Sequence, residues 1–498
     1  MQNLKFKKFI TKIKETKNPK NILKILFILS SIIFAIPSII YLIKNQTIYQ
    51  FEPYFKYLLT NNIDPLYQTF FYIIILSILT LLYILIIKQR KTLFKTSKNM
   101  YIFILIISLI FVAVVPFVCS DVFYYLGIGR LDSTYNQNPY YVTIKDYVEQ
   151  ANNIKYLETD TVLAQGYIND WSDSTVVYGP IWTLICKIIA TFSFGNIDIG
   201  LLIFKLINVI VHILNCYLIY KISGKKIFTC IYGLNPFILI EGIAQVHNDM
   251  FVLLFAMLSL YFLTKKKNIV LSVIFLAIST GIKYFTIILL PFIIIYHFRK
   301  EKPLKRFYKC IQYGLLFLVI LIIPYLFYIK DMQVLSGLFI QQEKLAKSFY
   351  IIIIEYLTNP QNLVTIVKDT LLGSFIIIYF FTCLILLTKK EINLKKEFKK
   401  ANYFIMAFLF LLITNFQPWY IIWLFILLIW QKAQNIKWII QISLIVEFAN
   451  SVFLIYGEGW QYGTPFTFIF IVSSLIALII NKTLKENRMK KAFLKSTK

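Results

Sequence analysis

Apolar segments recur along the whole chain, and they constrain its fold more than any other feature. A helix needs about 20 apolar residues to cross a bilayer. The candidate segments are 22–44, 68–88, 101–118, 178–194, 200–220, 227–245, 248–263, 268–280, 284–297, 310–329, 370–388, 402–415, 419–431, 437–456 and 465–481. Several of them are too short to cross straight through. We therefore predict an all-α, polytopic transmembrane helical bundle of about 13–15 membrane segments, some short or re-entrant, in one domain over residues 1–498.

The composition agrees with a membrane protein. The chain is 58% hydrophobic and 15% charged, whereas soluble proteins are about one quarter charged. The net charge of +28 does not indicate nucleic-acid binding, because the lysines lie in loops between apolar segments, where cytoplasmic sides collect them. The six cysteines are scattered, mostly in apolar runs, and show neither metal-ligand spacing nor a disulfide framework.

The charges of the loops predict their sides. Basic stretches mark both termini and the loops at 88–98, 265–267, 299–306 and 389–400 as cytoplasmic. The loop at 119–177 is acidic instead, so we expect it to be external and to contain short interfacial helices. Residues 330–369 form a second predicted external loop.

Two features of this topology concern short segments. An odd number of crossings is needed between Val177 and Lys265, so either 178–194 or 227–245 must be re-entrant. We favour 227–245, because Asn235-Pro236 breaks it near its middle. The two arms of 268–297 each have about 13 residues, or roughly 20 Å of helix. The turn between them therefore carries Lys283 within the membrane profile.

Charge counting brings several polar residues to one external face. They are Asp121, Arg130, His247, Asp249, Lys283, Gln417 and Trp419. Asp121 follows an apolar segment and opens the acidic loop, and carboxylates are rare at that depth unless they are functional. A fixed carboxylate there suits a general base for an acceptor hydroxyl. The alternative is a structural acid at a helix end.

Two cationic side chains at this face are suited to binding a phosphate group. Arg130 would bind it as a fork and Lys283 as a point charge; alternatively, Arg130 snorkels and Lys283 is an ordinary loop lysine. Asn248 or Asp249 could simply cap the helix that follows. His247 and Asp249 could instead bind sugar hydroxyls or, with a weaker signal, a divalent metal.

Aromatic residues accompany two helix breaks. Gln417-Pro418-Trp419-Tyr420 combines an amide with rings that stack on sugar faces or form an interfacial belt. Tyr178-Gly179-Pro180 is a turn signal with an aromatic neighbour. The sequence contains no P-loop, GxGxxG, HExxH or nucleophile elbow, which removes support for nucleotide and acyl-enzyme chemistry.

The order of these motifs resembles a known family. Asp121-Val122-Phe123-Tyr124-Tyr125 with Gly129-Arg130 and Asn138-Pro139-Tyr140 looks like the first external loop of GT-C glycosyltransferases. The later motifs follow in the order seen in bacterial polyprenyl-phosphate-mannose-dependent alpha-mannosyltransferases: Tyr178-Gly179-Pro180, Asn235-Pro236 with His247-Asn248-Asp249, Lys283-Tyr284 and Phe416-Gln417-Pro418-Trp419-Tyr420. The resemblance covers roughly residues 100–430.

This resemblance implies an enzyme of the cell envelope. It would move a hexose such as mannose from a polyprenyl-phosphate donor to a glycolipid, glycan or envelope-polymer acceptor. The reaction would take place on the external face of a bacterial plasma membrane, with membrane lipids and no nucleic acid as partners. Asp121 would be the base, and Arg130 and Lys283 would hold the donor phosphate. Tyr125, Tyr178, His247, Asn248, Asp249, Gln417, Trp419 and Tyr420 would bind substrate.

The single acid Ser120-Asp121 lacks a second adjacent carboxylate, so no resident metal or other cofactor is expected, although a divalent metal is not excluded. The alternatives are a lipid-linked oligosaccharide flippase or transporter, which would place charges near the midplane, and a polysaccharide polymerase or ligase.

Overall fold

A computed structural model describes residues 19–45, 65–117, 119–337, 361–413, 416–430 and 437–456. These residues contain helices and no strand, so the predicted all-α bundle is confirmed. The α-helices are α1 Pro19–Asn45, α2 Pro65–Leu93, α3 Ser97–Val112, α4 Asp121–Ser133, α5 Ile144–Glu149, α6 Thr161–Tyr167, α7 Pro180–Phe192, α8 Ile197–Ser223, α9 Lys226–Gly233, α10 Asp249–Tyr261, α11 Ile269–Thr280, α12 Leu290–His297, α13 Pro303–Ile322, α14 Gln361–Thr388, α15 Leu394–Ala407 and α16 Lys437–Tyr456.

Shorter helical turns join these elements. The 3-10 segments are Gln150–Glu158, Tyr284–Leu289, Ile323–Phe327, Met332–Leu335 and Pro418–Trp430, and the π-type turns are Ile238–Ala244, Phe262–Lys266 and Phe408–Leu412. The predicted segment 465–481 and the middle of the predicted loop 330–369 lie outside the described residues.

Five helices in the described part are long and apolar enough to cross a membrane, and a sixth span is possible if α9 and the Ile238–Ala244 turn count as one. That pair bends by 60° around Asn235-Pro236, the break that the sequence predicts. Asn235 stabilises the bend, because its side-chain oxygen accepts a hydrogen bond from the Phe237 amide at 3.1 Å. Proline removes one backbone donor at this position, so a straight helix cannot continue.

The bent pair runs the full length of α3. At one end, the Lys226 ammonium donates to the Lys95 carbonyl at 2.9 Å, beside the start of α3. At the other end, the Gln245 side chain accepts a hydrogen bond from the Phe117 amide at 3.2 Å, beyond the end of α3. The expectation that 227–245 is re-entrant is therefore wrong: this segment passes from one end of the bundle to the other.

The segment that stays at one end is α7. Its middle touches α4 backbone to backbone, where a Cβ on Gly129 would lie 2.2 Å from the Cys186 carbonyl oxygen. The turn after α7 is held by α6, because the Val162 amide donates to the Gly195 carbonyl at 3.3 Å. Thirteen residues give only about 20 Å of helix. Because α7 stays at the end of the bundle where Asp121 lies, α8 begins at that end and finishes beside Lys95. Lys221, Lys225 and Lys226 therefore lie at the predicted cytoplasmic end.

The turn that carries Lys283 has the predicted position, between α11 and the segment Tyr284–Leu289. It packs directly against the start of α7. The Gly179 amide donates to the Ile282 carbonyl at 3.2 Å, and the Ile181 amide donates to the Gly281 carbonyl at 3.1 Å. Two turns that are 100 residues apart in sequence therefore form one backbone contact beside Lys283.

Gly179 should not tolerate a side chain at this contact. A Cβ there would lie 2.2 Å from the Gly281 carbonyl oxygen, so Gly179→Ala forces the two turns apart. We expect a loss of roughly 1–3 kcal/mol in the free energy of unfolding, measured by thermal unfolding of the purified protein. Gly373→Ala on α14 is the control, because no atom lies within 4 Å of that Cβ position. Equal stability of the two variants would contradict the close contact.

Candidate active site

A small pocket lies at the end of the bundle where α4 begins. It has a volume of about 30 Å³ and is bordered by Asp121, Tyr178, Gln417, Trp419 and Tyr420. The rest of its lining comes from the predicted external loop: Tyr124, Trp171, Ser174, Thr175 and Val177. The structure thus joins the first-loop acid to the Gln-Pro-Trp-Tyr break, nearly 300 residues later in the chain.

Asp121 is nearly buried, with 5% of its surface exposed. Its Oδ2 accepts a hydrogen bond from the Tyr125 hydroxyl at 3.2 Å, one helical turn further along α4. The Tyr125 hydroxyl also lies 3.4 Å from that of Tyr178. Burial raises the pKa of Asp121 above its usual value, and this effect exceeds the opposing effects of Cys119, Lys283 and Tyr125. A carboxylate with a raised pKa is the stronger base for a hydroxyl proton.

His247 connects Asp121 to a second buried acid. Its Nδ1 lies 3.7 Å from Asp121 Oδ2, and its Nε2 lies 3.0 Å from Glu241 Oε2. The imidazole is stacked on Trp419, with ring centroids 4.0 Å apart and planes 12° apart. Burial lowers the pKa of His247 well below its usual value, which favours the neutral ring. Sequence analysis did not identify Glu241, although an acid inside an apolar segment six residues before His247 was a usable signal.

Cys119, Asp121 and His247 also form a group of metal-ligand types. One ligand atom from each residue lies within 4.8 Å of the others, and all three side chains are buried. A thiol, a carboxylate and an imidazole suit a borderline divalent ion such as zinc, so the donor set is chemically compatible with a metal. Sequence analysis found no metal-ligand spacing among the cysteines and did not connect Cys119 to Asp121. The expectation of no resident metal stays a prediction.

Lys283 and Asp249 form an ion pair beside this cluster. The Lys283 ammonium lies 2.8 and 2.9 Å from the two carboxylate oxygens of Asp249, and the Trp423 indole N–H donates to the same carboxylate. The ammonium also lies 4.5 Å from the centroid of the Tyr420 ring, a favourable cation–π distance. Sequence analysis missed Trp423, although it lies four residues after Trp419.

Asn248 lies between His247 and Asp249 and is fully buried. It makes no capping hydrogen bond at the start of α10, so the capping role considered for it is wrong. Within the described part of the chain, neither its amide oxygen nor its amide nitrogen has a hydrogen-bond partner. Buried amides are normally paired, so this side chain has unused capacity for a ligand.

Arg130 does not border the pocket. It lies nine residues after Asp121 on α4, about 13 Å along the helix axis. Its guanidinium forms an ion pair with Asp160 at 2.5 Å, and Asp160 also accepts a hydrogen bond from Tyr135 at 2.9 Å. In this structure the pair ties α4 to the start of α6.

Comparison with known proteins identifies the family of this chain. A family model described as alpha-(1->6)-mannopyranosyltransferase, N-terminal domain, matches residues 29–299, more than half of the chain. The chain belongs to this family. The resemblance to GT-C mannosyltransferases is thereby confirmed, and the matched region of the alpha-(1->6)-mannopyranosyltransferase family contains Asp121, Glu241, His247 and Lys283.

A curated relative gives a weaker match. Alpha-(1->6)-mannopyranosyltransferase A of Corynebacterium glutamicum is 27% identical over 131 residues, which cover 25% of this chain. The match covers 26% of the relative's own length, so this chain spans about a quarter of it. No solved structure matches the chain.

Proposed function

We propose that this membrane protein transfers mannose from a polyprenyl-phosphate donor to an acceptor of the cell envelope, with Asp121 as general base. The observation that carries the proposal is the buried Asp121 carboxylate at a pocket bordered by Gln417, Trp419 and Tyr420. Membership in the alpha-(1->6)-mannopyranosyltransferase family supports mannose as the sugar.

The reaction requires one proton transfer and one bond exchange. Asp121 takes the proton of the acceptor hydroxyl as that oxygen attacks C1 of the mannosyl group. The bond from C1 to the phosphate oxygen breaks, and its electron pair leaves with the prenyl phosphate. Lys283 contacts the ring of Tyr420, which lines the pocket, and would offset part of the phosphate charge. Arg130 lies about 13 Å along α4 from Asp121 and is the weaker of the two predicted phosphate ligands.

The remaining predicted site residues would bind and orient the substrates. Asn248 and Gln417 offer amide groups for sugar hydroxyls, and Trp419, Tyr420 and Tyr178 offer ring faces for sugar C–H groups. Tyr125 and His247 touch Asp121 directly, so they would fix the position of its carboxylate.

We place the reaction on the external face of the plasma membrane, with both termini cytoplasmic. This side is supported by the charges, because Lys95 and Lys226 meet at the end of the bundle opposite Asp121, and basic residues collect on the cytoplasmic side. Polar residues at one end of the bundle also favour a transferase over a transporter, whose charged site would lie near the midplane.

The most direct test of this function compares two classes of sugar donor. Purified full-length protein in lipid vesicles is mixed with mannosyl prenyl phosphate or with GDP-mannose, and with envelope lipids as acceptor. We expect one hexose to be added, seen by mass spectrometry, only with the prenyl-linked donor. Transfer from GDP-mannose alone would contradict the proposed donor. Transport of lipid-linked sugar across the vesicle without transfer would favour the flippase alternative.

The pH dependence of mannose transfer tests whether Asp121 is the general base. Since Asp121 acts when deprotonated and burial raises its pKa, activity should fall as the pH drops through that raised pKa, above the usual value for aspartate. The Tyr125 hydroxyl stabilises the carboxylate, so Tyr125→Phe should move the acidic limb to higher pH. An acidic limb that stays in place in Tyr125→Phe would contradict this assignment.

A further inference from the structure

Three side chains of metal-ligand type meet at the start of α4. One ligand atom from each of Cys119, Asp121 and His247 lies within 4.8 Å of the other two, and all three residues are buried. In a tetrahedral zinc site, ligand atoms that each lie about 2.0–2.3 Å from the ion are roughly 3.5 Å apart. The group is therefore slightly wider than a closed site, and a contraction of about 1 Å would complete it.

The imidazole of His247 faces Asp121 with a ring nitrogen that is available to a ligand. Nδ1 lies 3.7 Å from Asp121 Oδ2, which is too long for a hydrogen bond. Within the described part of the chain, this nitrogen has no hydrogen-bond partner. His247 is completely buried, and buried polar atoms are normally paired. An ion between the imidazole and the carboxylate would give both groups a partner.

The neighbours of these residues match the outer partners of known metal sites. A histidine that ligates a metal usually has a carboxylate, a carbonyl or water at its second ring nitrogen. Here Nε2 of His247 lies 3.0 Å from Glu241 Oε2. Ligating carboxylates are also hydrogen-bonded, and Asp121 accepts from the Tyr125 hydroxyl at 3.2 Å. Glu241 and Tyr125 would therefore hold the imidazole and the carboxylate in place when an ion binds.

The thiol of Cys119 decides which ions the group would prefer. Its Sγ lies 3.4 Å from the Asp121 amide nitrogen, so the sulfur lies against the first turn of α4. Thiolate and imidazole ligands favour zinc and similar ions, whereas magnesium and calcium prefer oxygen ligands. Binding would release the thiol proton to solvent. The resulting thiolate and the carboxylate carry two negative charges, which balance one divalent cation.

The pocket beside Asp121 offers the fourth coordination position. Its volume of about 30 Å³ leaves room for a water molecule. Zinc sites with three protein ligands keep the fourth position for water or substrate. The pocket also provides a route by which the ion could reach the buried ligands.

We propose that Cys119, Asp121 and His247 form an inhibitory zinc site, which the ion enters reversibly from the pocket. A bound ion occupies the carboxylate with which Asp121 would accept the hydroxyl proton, so the occupied protein lacks its general base. Occupancy of the site is independent of the proposed function. The inhibition rests on that function, because it assigns Asp121 as the base.

Cobalt can report on the site without any sugar substrate. Purified full-length protein in nanodiscs, with its purification tag removed, is titrated with Co²⁺, whose bond to a thiolate gives a near-ultraviolet charge-transfer band. We expect this band to appear, to disappear when Zn²⁺ is added, and to persist in excess Mg²⁺. Cys119→Ser should abolish the band. The matched control is Cys186→Ser, at another buried cysteine, which should retain it. An unchanged band in folded Cys119→Ser, or its loss with Mg²⁺, would overturn the site.

The second measurement is mannose transfer at increasing Zn²⁺ concentration. Each variant is compared with its own rate in the presence of a chelator, and thermal unfolding shows whether it is folded. The zinc concentration that halves the rate should rise about tenfold or more in Cys119→Ser, since loss of an outer partner alone costs about 10–100-fold in metal affinity. In Cys186→Ser it should stay near that of the unmodified protein.

Two outcomes of this second measurement would overturn the inhibitory role. One is equal zinc sensitivity of Cys119→Ser and Cys186→Ser, and the other is transfer that zinc leaves unchanged or accelerates at concentrations that remove the cobalt band. If the unmodified chain transfers no mannose at all, the proposed function fails instead. The cobalt band then still decides whether the metal site exists, because it requires neither donor nor acceptor.

Discussion

Asp121→Asn should abolish mannose transfer while leaving the protein folded. Asparagine has nearly the same shape and can still contact Tyr125, but it cannot accept the acceptor proton. We expect the rate to fall about 10²–10⁴-fold, the range for loss of a positioned general base. The measurement is hexose addition to envelope lipids by the purified chain, with prenyl phosphate binding as a separate readout that should not change.

Asp132→Asn is the matched control. Asp132 lies on the same helix and is also largely buried, but it pairs with Lys187 and accepts from the Tyr328 hydroxyl at 2.8 Å. We expect this variant to retain transfer within a few-fold, with a small loss of stability. If Asp121→Asn transferred mannose as fast as Asp132→Asn, Asp121 would not be the base.

The second large effect concerns stability. Lys283→Met should leave the Asp249 carboxylate buried with only the Trp423 indole as a described partner. Removing one partner of a buried ion pair costs roughly 3–5 kcal/mol, because the other charge stays uncompensated. Asp249 is completely buried and Lys283 nearly so. We therefore expect a large fall in the thermal unfolding temperature of the purified protein.

A double variant distinguishes pairing from packing. Adding Asp249→Asn to Lys283→Met removes the uncompensated charge, so much of the lost stability should return. The control is Lys305→Met, whose ion pair with Glu301 is exposed and should be worth less than about 1 kcal/mol. A Lys283→Met protein as stable as Lys305→Met would contradict the buried pair.

Part of the fold was predictable because its signals are local. The length of an apolar run, the Asn235-Pro236 break and the Thr280–Lys283 turn depend only on neighbouring residues, and the structure has all three. The error lay in the choice of the non-crossing segment. The broken segment 227–245 was the local candidate, but contacts with α3 make it cross. The unbroken α7 stays at one end, because a Gly129 contact and the Gly195 turn hold it against α4 and α6.

The candidate site also contains some residues that the sequence identified and others that only the structure revealed. Asp121, His247, Asp249 and Lys283 were identified from residue type and position, and the structure brings them together. Glu241, Trp423 and Cys119 lie in or beside apolar runs and were missed, although the acid Glu241 in such a run was a usable signal. Only tertiary contacts show that Glu241 meets His247 and that Trp423 meets Asp249.

The sequence by itself indicated a helical membrane protein that resembles GT-C alpha-mannosyltransferases, with its polar motifs predicted on one side. It could do so because hydrophobic length, loop charge and motif order are properties of the chain. The tertiary structure decided the partner of each charge: Arg130 with Asp160, Lys283 with Asp249 and His247 between two acids. These pairings join residues up to 126 positions apart, and the energy of a charge depends on burial and neighbours, which exist only after the helices pack.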